Sequence, residues 1–191
     1  MTETVYGWHF VSENKKLGYG DGRTIRKGGT LTVDVEPVLC AAGLHASPRA
    51  IDALGYAPGP IACFVQLGGA IVGPSNDHPD KMVATERTVI AYCDFRKVYR
   101  DYIRDTLVFR QEPIAVLLER SGLPEHAHAV RAIQMDTASF ADIQTVFDAS
   151  WAAARAAAWD ASWDAARAAL NERLEGRLFA AMKIADPRLE I

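Results

Sequence analysis

Along the first half of the chain apolar residues recur at every second position. Tyr6, Trp8 and Phe10 alternate with Gly7 and His9, and Leu31, Val33 and Val35 alternate with Thr30, Thr32 and Asp34. A period of two marks a strand with one covered face. Pro37 closes the second run, because proline cannot donate to a ladder. Ile61 to Leu67 is mostly apolar and Met82 to Tyr92 forms the longest strand-like run, with a Gly/Pro/Asn/Asp loop from Gly73 to Asp80 between them. Ser47-Pro48 predicts the start of a short helix that ends near Gly55 to Pro58. Ser47 would cap its free N–H groups and Pro48 would take the first helical position.

The second half reads as helical. Asp94 predicts the cap of a helix through about Arg110, Pro113 opens another that Gly122 stops, and Pro124 opens a third. Ser139 with Asp142 resembles a capping box and predicts a long helix reaching about Met182. Inside it, 12 of the 21 residues from Ala149 to Ala169 are alanine, so this tract favours helix even before it packs. Phe147, Trp151, Arg155, Trp159 and Trp163 recur every fourth residue. Each step advances the stripe by about 40°, so it winds around the helix and one flat partner cannot cover it. Either this helix packs on its own domain, or part of the stripe meets a second chain.

Strands followed by helices predict an α+β fold rather than a βαβ parallel sheet. The expectation is a small mixed or antiparallel sheet domain with one short helix over 1–94. A helical region over 95–191, carrying one long Ala/Trp-rich helix, would pack on it or be continuous with it. The 191 residues are 49% hydrophobic and 24% charged, enough for a core without metals or disulfides. The net charge is −3, with 8 basic and 10 acidic residues up to Asp94 and 13 basic and 14 acidic beyond it. Neither part has the cationic excess of a general nucleic-acid binder. Cys40, Cys63 and Cys93 are odd in number and contain no CxxC pair, which predicts free thiols in a reducing compartment. The longest apolar run is far below the roughly 20 residues that span a bilayer, and Met1 to Tyr6 makes no leader. A cytoplasmic protein without membrane contact is the expectation.

Candidate chemistry concentrates between Cys40 and Asp94. Glu86 shares a strand face with Met82, Ala84, Thr88 and Ile90, whereas Arg87 shares the other with Val83, Val89 and Ala91. If the Glu86 face is covered, desolvation raises its pKa and suits acid/base or charge-stabilising work; if not, Glu86 is an exposed carboxylate paired with a base such as Lys81. His45, Ser47 and Arg49 stand where a helix begins, and could together hold a phosphate or carboxylate at its free N–H groups. Alternatively, His45 hydrogen-bonds nearby backbone to fix the turn. His9, Cys40 and His45 lack paired ligand spacing, so no metal is expected. Gly18-Tyr-Gly-Asp-Gly22 is not a tight strand-to-helix link, which removes it as a dinucleotide fingerprint, and no GxSxG, P-loop or HExxH pattern occurs.

Four motifs stand in order: Tyr6-Gly-Trp-His-Phe10, Cys40-Ala-Ala-Gly-Leu-His-Ala-Ser47, Ala57-Pro-Gly-Pro60 and Asp80-Lys-Met-Val-Ala-Thr-Glu-Arg-Thr88. Together they resemble a domain that recurs in bacteriophage and prophage proteins, whose members often carry an Ala/Trp/Arg/Asp-rich helical tail. The resemblance covers about residues 5 to 94. It implies an accessory role in the host cytoplasm and supplies no reaction. The expected function is binding of a host or phage macromolecule, as inhibitor or adaptor, without a cofactor. Trp151, Trp159 and Trp163 would be the interaction anchors, and self-association through the same helix is the alternative use of the tract.

A second resemblance is to ADP-ribosyltransferase folds. Those place an aromatic-His segment on the first strand, a Gly-Leu-x-x-Ser-like turn before a short helix, and a glutamate on a late strand. His9, Ser47 and Glu86 are the corresponding positions, although no H-G or R-G pair follows the first strand and Ala84 stands where a second acidic or glutamine residue belongs. This resemblance implies an enzyme that binds NAD or another nucleotide-like substrate, with Glu86 and His9 as its catalytic pair.

Overall fold

A computed structural model of the chain describes residues 4–18, 21–107, 111–120, 122–134, 137 and 161–189. Five strands build one antiparallel sheet: β1 (Val5–Val11), β2 (Thr30–Thr32), β3 (Leu44–Ala46), β4 (Ile61–Val72) and β5 (Met82–Asp94). The order is β1-β4-β5-β2, with β3 also beside β5. Helices α1 (Ala50–Leu54), α2 (Phe95–Leu107), α3 (Gln111–Arg120), α4 (Pro124–Ala132) and α5 (Ala161–Met182) complete the described elements, followed by a 3-10 turn at Pro187–Leu189. The protein is α+β, as the segregation of strands and helices predicts.

The sheet closes on itself. Strand β3 pairs with β5 through Leu44, His45 and Ala46, opposite Ala84, Val83 and Met82. One residue further on, Ser47 and Trp8 of β1 exchange both backbone hydrogen bonds, at 2.7 and 2.8 Å. The path β1, β4, β5, β3 and back to β1 is therefore a ring, which satisfies strand edges that would otherwise lie open. Gly7 permits the closure, because a Cβ there would sit 2.8 Å from Met82 Cε and 3.0 Å from the Ser47 carbonyl. Two register shifts bend the long β4–β5 pair, between Phe64 and Val65 and between Gly68 and Ile71. At the second, Gly69 takes φ +66° and Ala70 N–H donates to Thr85 Oγ1 at 3.0 Å, the left-handed residue and extra turn of a β-bulge.

Alternation gives this sheet two faces. Trp8, Phe10 and Phe64 lie on one, with ring centroids 5.0 Å apart for Trp8 and Phe64. Phe95 meets Phe10 edge-on at 5.2 Å, and Phe179 of α5 packs on both Trp8 and Phe64. The other face collects Val11, Ile61, Cys63, Val65, Leu67, Met82, Ala84 and Val89, with Leu44 and Ala46 from β3 and Leu17 and Ile25 from the intervening loops. Every strand of the ring contributes to it, so it is the ring's interior.

Contacts divide the chain into two compact units, residues 1–95 with 174–191, and residues 96–173. Residues 174–182 of α5 thus belong to the sheet unit, where Leu174, Leu178, Phe179 and Met182 are buried at helical spacing. In the other unit α3 and α4 form a hairpin around buried Ala115, Leu118, Ala127 and Val130. Gly122, at φ +75°, ends α3 while Leu123 N–H bonds back to Leu118 O. Arg131 holds Glu112 and Glu119 on the outer side of that hairpin.

Three local expectations need correction. Leu44 to Ala46 is a strand rather than part of a turn. The second strand is shorter than its alternation implies, since Val35 lies past its end and is exposed. Helix α1 starts at Ala50 and takes Arg49, not Ser47, as its cap residue, with no side-chain capping bond. Ser47 is committed to closing the ring. The predicted start at Ser139 and Asp142, the stripe from Phe147 through Arg155, and Trp151 and Trp159 lie outside the described residues, as does the Trp163 side chain.

Candidate functional site

The ring's interior is not wholly apolar. On β5, Arg87 stands opposite Leu67 of β4 and Leu31 of β2, only 2% exposed. Its Nη1 donates to the His45 carbonyl at 2.5 Å, and its Nε is buried without a partner. Burial pulls the guanidinium down to about 10, which leaves it cationic at neutral pH. No carboxylate of the described residues forms an ion pair with it. Asp21, which acts on it from a distance, has both oxygens bound by Arg23, at 2.7 and 2.8 Å. A buried cation without an anion costs several kcal/mol in general, because desolvation is uncompensated.

His9 and Cys63 complete the polar set. They face each other across β1 and β4. Since Trp8 pairs with Ser47, His9 lies opposite Ala46, next to the His45 carbonyl that anchors Arg87. Protein crowds the His9 ring, yet the residue keeps some accessible surface. Burial lowers its pKa well below the ordinary value, and the Arg87 cation, with His45 whenever it is protonated, pushes the same way. Burial also drives the Cys63 thiol up to about 12, against the pull of Arg87. It is therefore neutral and offers Arg87 no negative charge. The other buried donor without a partner on the sheet, Trp8 Nε1, belongs to the opposite, aromatic face.

The residues singled out in the sequence fall in different places. Glu86 is exposed, opposite Gly68 of β4 and Thr32 of β2. Neighbours on an extended strand point to opposite sides, so Glu86 turns out where Arg87 turns in. Its partner Gly68 stands five positions from Cys63, the partner of His9, or roughly 17 Å along β4. The structure thus does not bring Glu86 to His9. His45 takes the turn-fixing role: Cys40 N–H donates to its Nε2 at 3.1 Å. Burial lowers the His45 pKa, opposed by a hydrogen bond to the Gly43 backbone.

The helix start expected to receive an anion already has one. Glu175 of α5 accepts the Ala50 N–H at 3.0 Å through Oε1, from 125 residues away. Its Oε2 accepts Arg188 Nη2 at 2.6 Å, and the Arg188 guanidinium lies over the Phe64 and Phe179 rings. Arg49, the third member of the expected phosphate set, pairs with Asp52 at 2.7 Å. His45, Ser47 and Arg49 therefore do not form one cradle.

Arg87 is the buried charge that alternation alone does not single out. In the sequence it shares alternation with Val83, Val89 and Ala91, a cation in an apolar register; in the sheet Ala91 pairs with Phe64 and only Val89 of the three joins the ring's interior. Among the described residues no group of three or more potential ligands could hold a metal ion, and no helix is long and apolar enough to cross a membrane. No family model, curated protein or solved structure matches the chain.

Proposed function

We propose that the sheet unit is a binding module for a small anionic ligand, received inside the strand ring by Arg87. The observation that carries this reading is a guanidinium 2% exposed, with no ion-paired carboxylate among the described residues and with Nε unpartnered. A guanidinium presents a planar fork of donors that matches a carboxylate or phosphate, so an entering anion would supply the missing charge and hydrogen bonds. The nucleotide-like substrate implied by the transferase resemblance remains within this class through its phosphates. Its proposed glutamate, however, lies outside the Arg87 cluster. Binding of a host or phage macromolecule is a separate proposal, resting on the motif resemblance and on Trp151, Trp159 and Trp163.

Thermal melting with phosphate, sulfate, acetate, succinate, nucleoside phosphates and NAD tests the module. A true ligand at a hundredfold excess over its Kd adds about 2.7 kcal/mol and visibly raises Tm. Arg87→Met should melt cooperatively and lose that response. A wild-type protein indifferent to every anion at millimolar concentration would remove the proposal.

A further inference from the structure

The entrance of an anion beside Arg87 has a consequence for His9. Among the described residues, the groups that act on the His9 ring are Arg87 from β5 and His45 from β3, with Cys63 of β4 as its cross-strand partner. The first is a cation and the others are neutral, so nothing at neutral pH rewards a second positive charge there. An anion reverses this, because an opposite charge within about 4–6 Å favours the protonated ring. We infer that His9 is the second anchor of the ligand and binds one proton from solvent as the anion enters.

The geometry behind this is the ring closure. The Trp8–Ser47 bridge sets His9 opposite Ala46, and Arg87 is tied to the carbonyl of the residue just before Ala46. A ligand reached by the Arg87 fork thus lies beside the imidazole. The ligand class is narrowed to anions with at least two acceptor oxygens, one for the guanidinium and one for the imidazolium: carboxylates, sulfate or phosphate monoesters. The proton balance is simple. One proton leaves the buffer and is held on the imidazole, and no covalent bond changes. This inference rests on the anion-binding reading of the same site.

Sulfate is the suitable probe, because it does not titrate near neutral pH. Calorimetry at about pH 7.5 in two buffers of different ionisation enthalpy should give uptake of close to one proton per sulfate. Affinity should rise by up to about tenfold per pH unit as pH falls towards 6, the slope that linkage assigns to one proton. His9→Gln, checked for folding by circular dichroism, should still bind sulfate with that slope and uptake abolished. His45→Gln should retain both. In the wild type, sulfate should move the His9 ring resonances in NMR to their protonated positions. Sulfate binding without proton uptake, or uptake that survives in His9→Gln, would overturn the role of His9 and leave the anion site standing. Failure of sulfate, acetate and phosphate alike to bind would overturn both.

Discussion

The two faces of one sheet are built from adjacent residues and solve different problems. Trp8, Phe10 and Phe64 look one way and meet Phe95 and Phe179, with ring centroids 5.0 to 5.2 Å apart. His9, Cys63 and Arg87 look the other way into the strand ring, where an otherwise aliphatic interior holds a guanidinium that no carboxylate of the described residues pairs with. Offset and edge-on aromatic pairs add to the hydrophobic burial they accompany. A buried cation subtracts from it. One face therefore stabilises the fold, while the other gives up stability at a position where a ligand would recover it.

That contrast is sharpest under substitution. Phe64→Ala opens a cavity beneath Trp8 and Phe179 and should cost about 3–5 kcal/mol, read from the denaturant midpoint. Arg87→Met should have the opposite sign. It replaces an uncompensated charge with an apolar chain of similar length, and we expect a gain of about 1–3 kcal/mol in the ligand-free protein. A loss of that size instead would make Arg87 a structural strut, and the two faces would then differ only in polarity.

Acid should act on the histidines of the strand ring. His9 and His45 both have folded pKa values below the unfolded value of about 6.5. Between the folded and unfolded values the unfolded chain binds more protons. Their stabilising contribution is thus complete above about pH 6.5 and is lost as pH falls below it. Urea midpoints should drop from about pH 7 to about pH 5, by at most about 1.4 kcal/mol per pH unit for His9. His9→Gln should flatten the slope, whereas Phe64→Ala should shift the curve without changing its shape.

The smallest effect belongs to the clasp outside the aromatic face. Glu175→Gln keeps an acceptor for the Ala50 N–H but weakens the bond to Arg188, and should cost about 1 kcal/mol. Hydrogen exchange of the α1 amides would show whether the loss is local. If the whole sheet unit opens together instead, α5 and the aromatic face form one cooperative block.

Much of the architecture follows from local pattern. Alternation through Tyr6 to Phe10 and Ile61 to Leu67, the proline at Pro124 and the glycine at Gly122 each act within a few residues, and the elements they predict stand where expected. The α+β class is their consequence. Local pattern misled where one residue had two uses. Ser47 has a good capping side chain, but its backbone is worth more in closing the ring on Trp8, so α1 begins later.

Tertiary structure alone decided the site. Alternation could put either Glu86 or Arg87 inside, and only the pairing with β2 and β4, shifted by the bulges near Gly69 and Val65, settled that Arg87 goes in. No pattern near Ala50 announces Glu175, because that contact joins segments 125 residues apart. The sequence by itself determined most of the strands and helices, β3 and the bounds of β2 and α1 excepted, since those preferences are set by neighbours a few positions away. Which face closed, which charge was buried and which carboxylate capped α1 were set by long-range packing, where register rather than residue type decides.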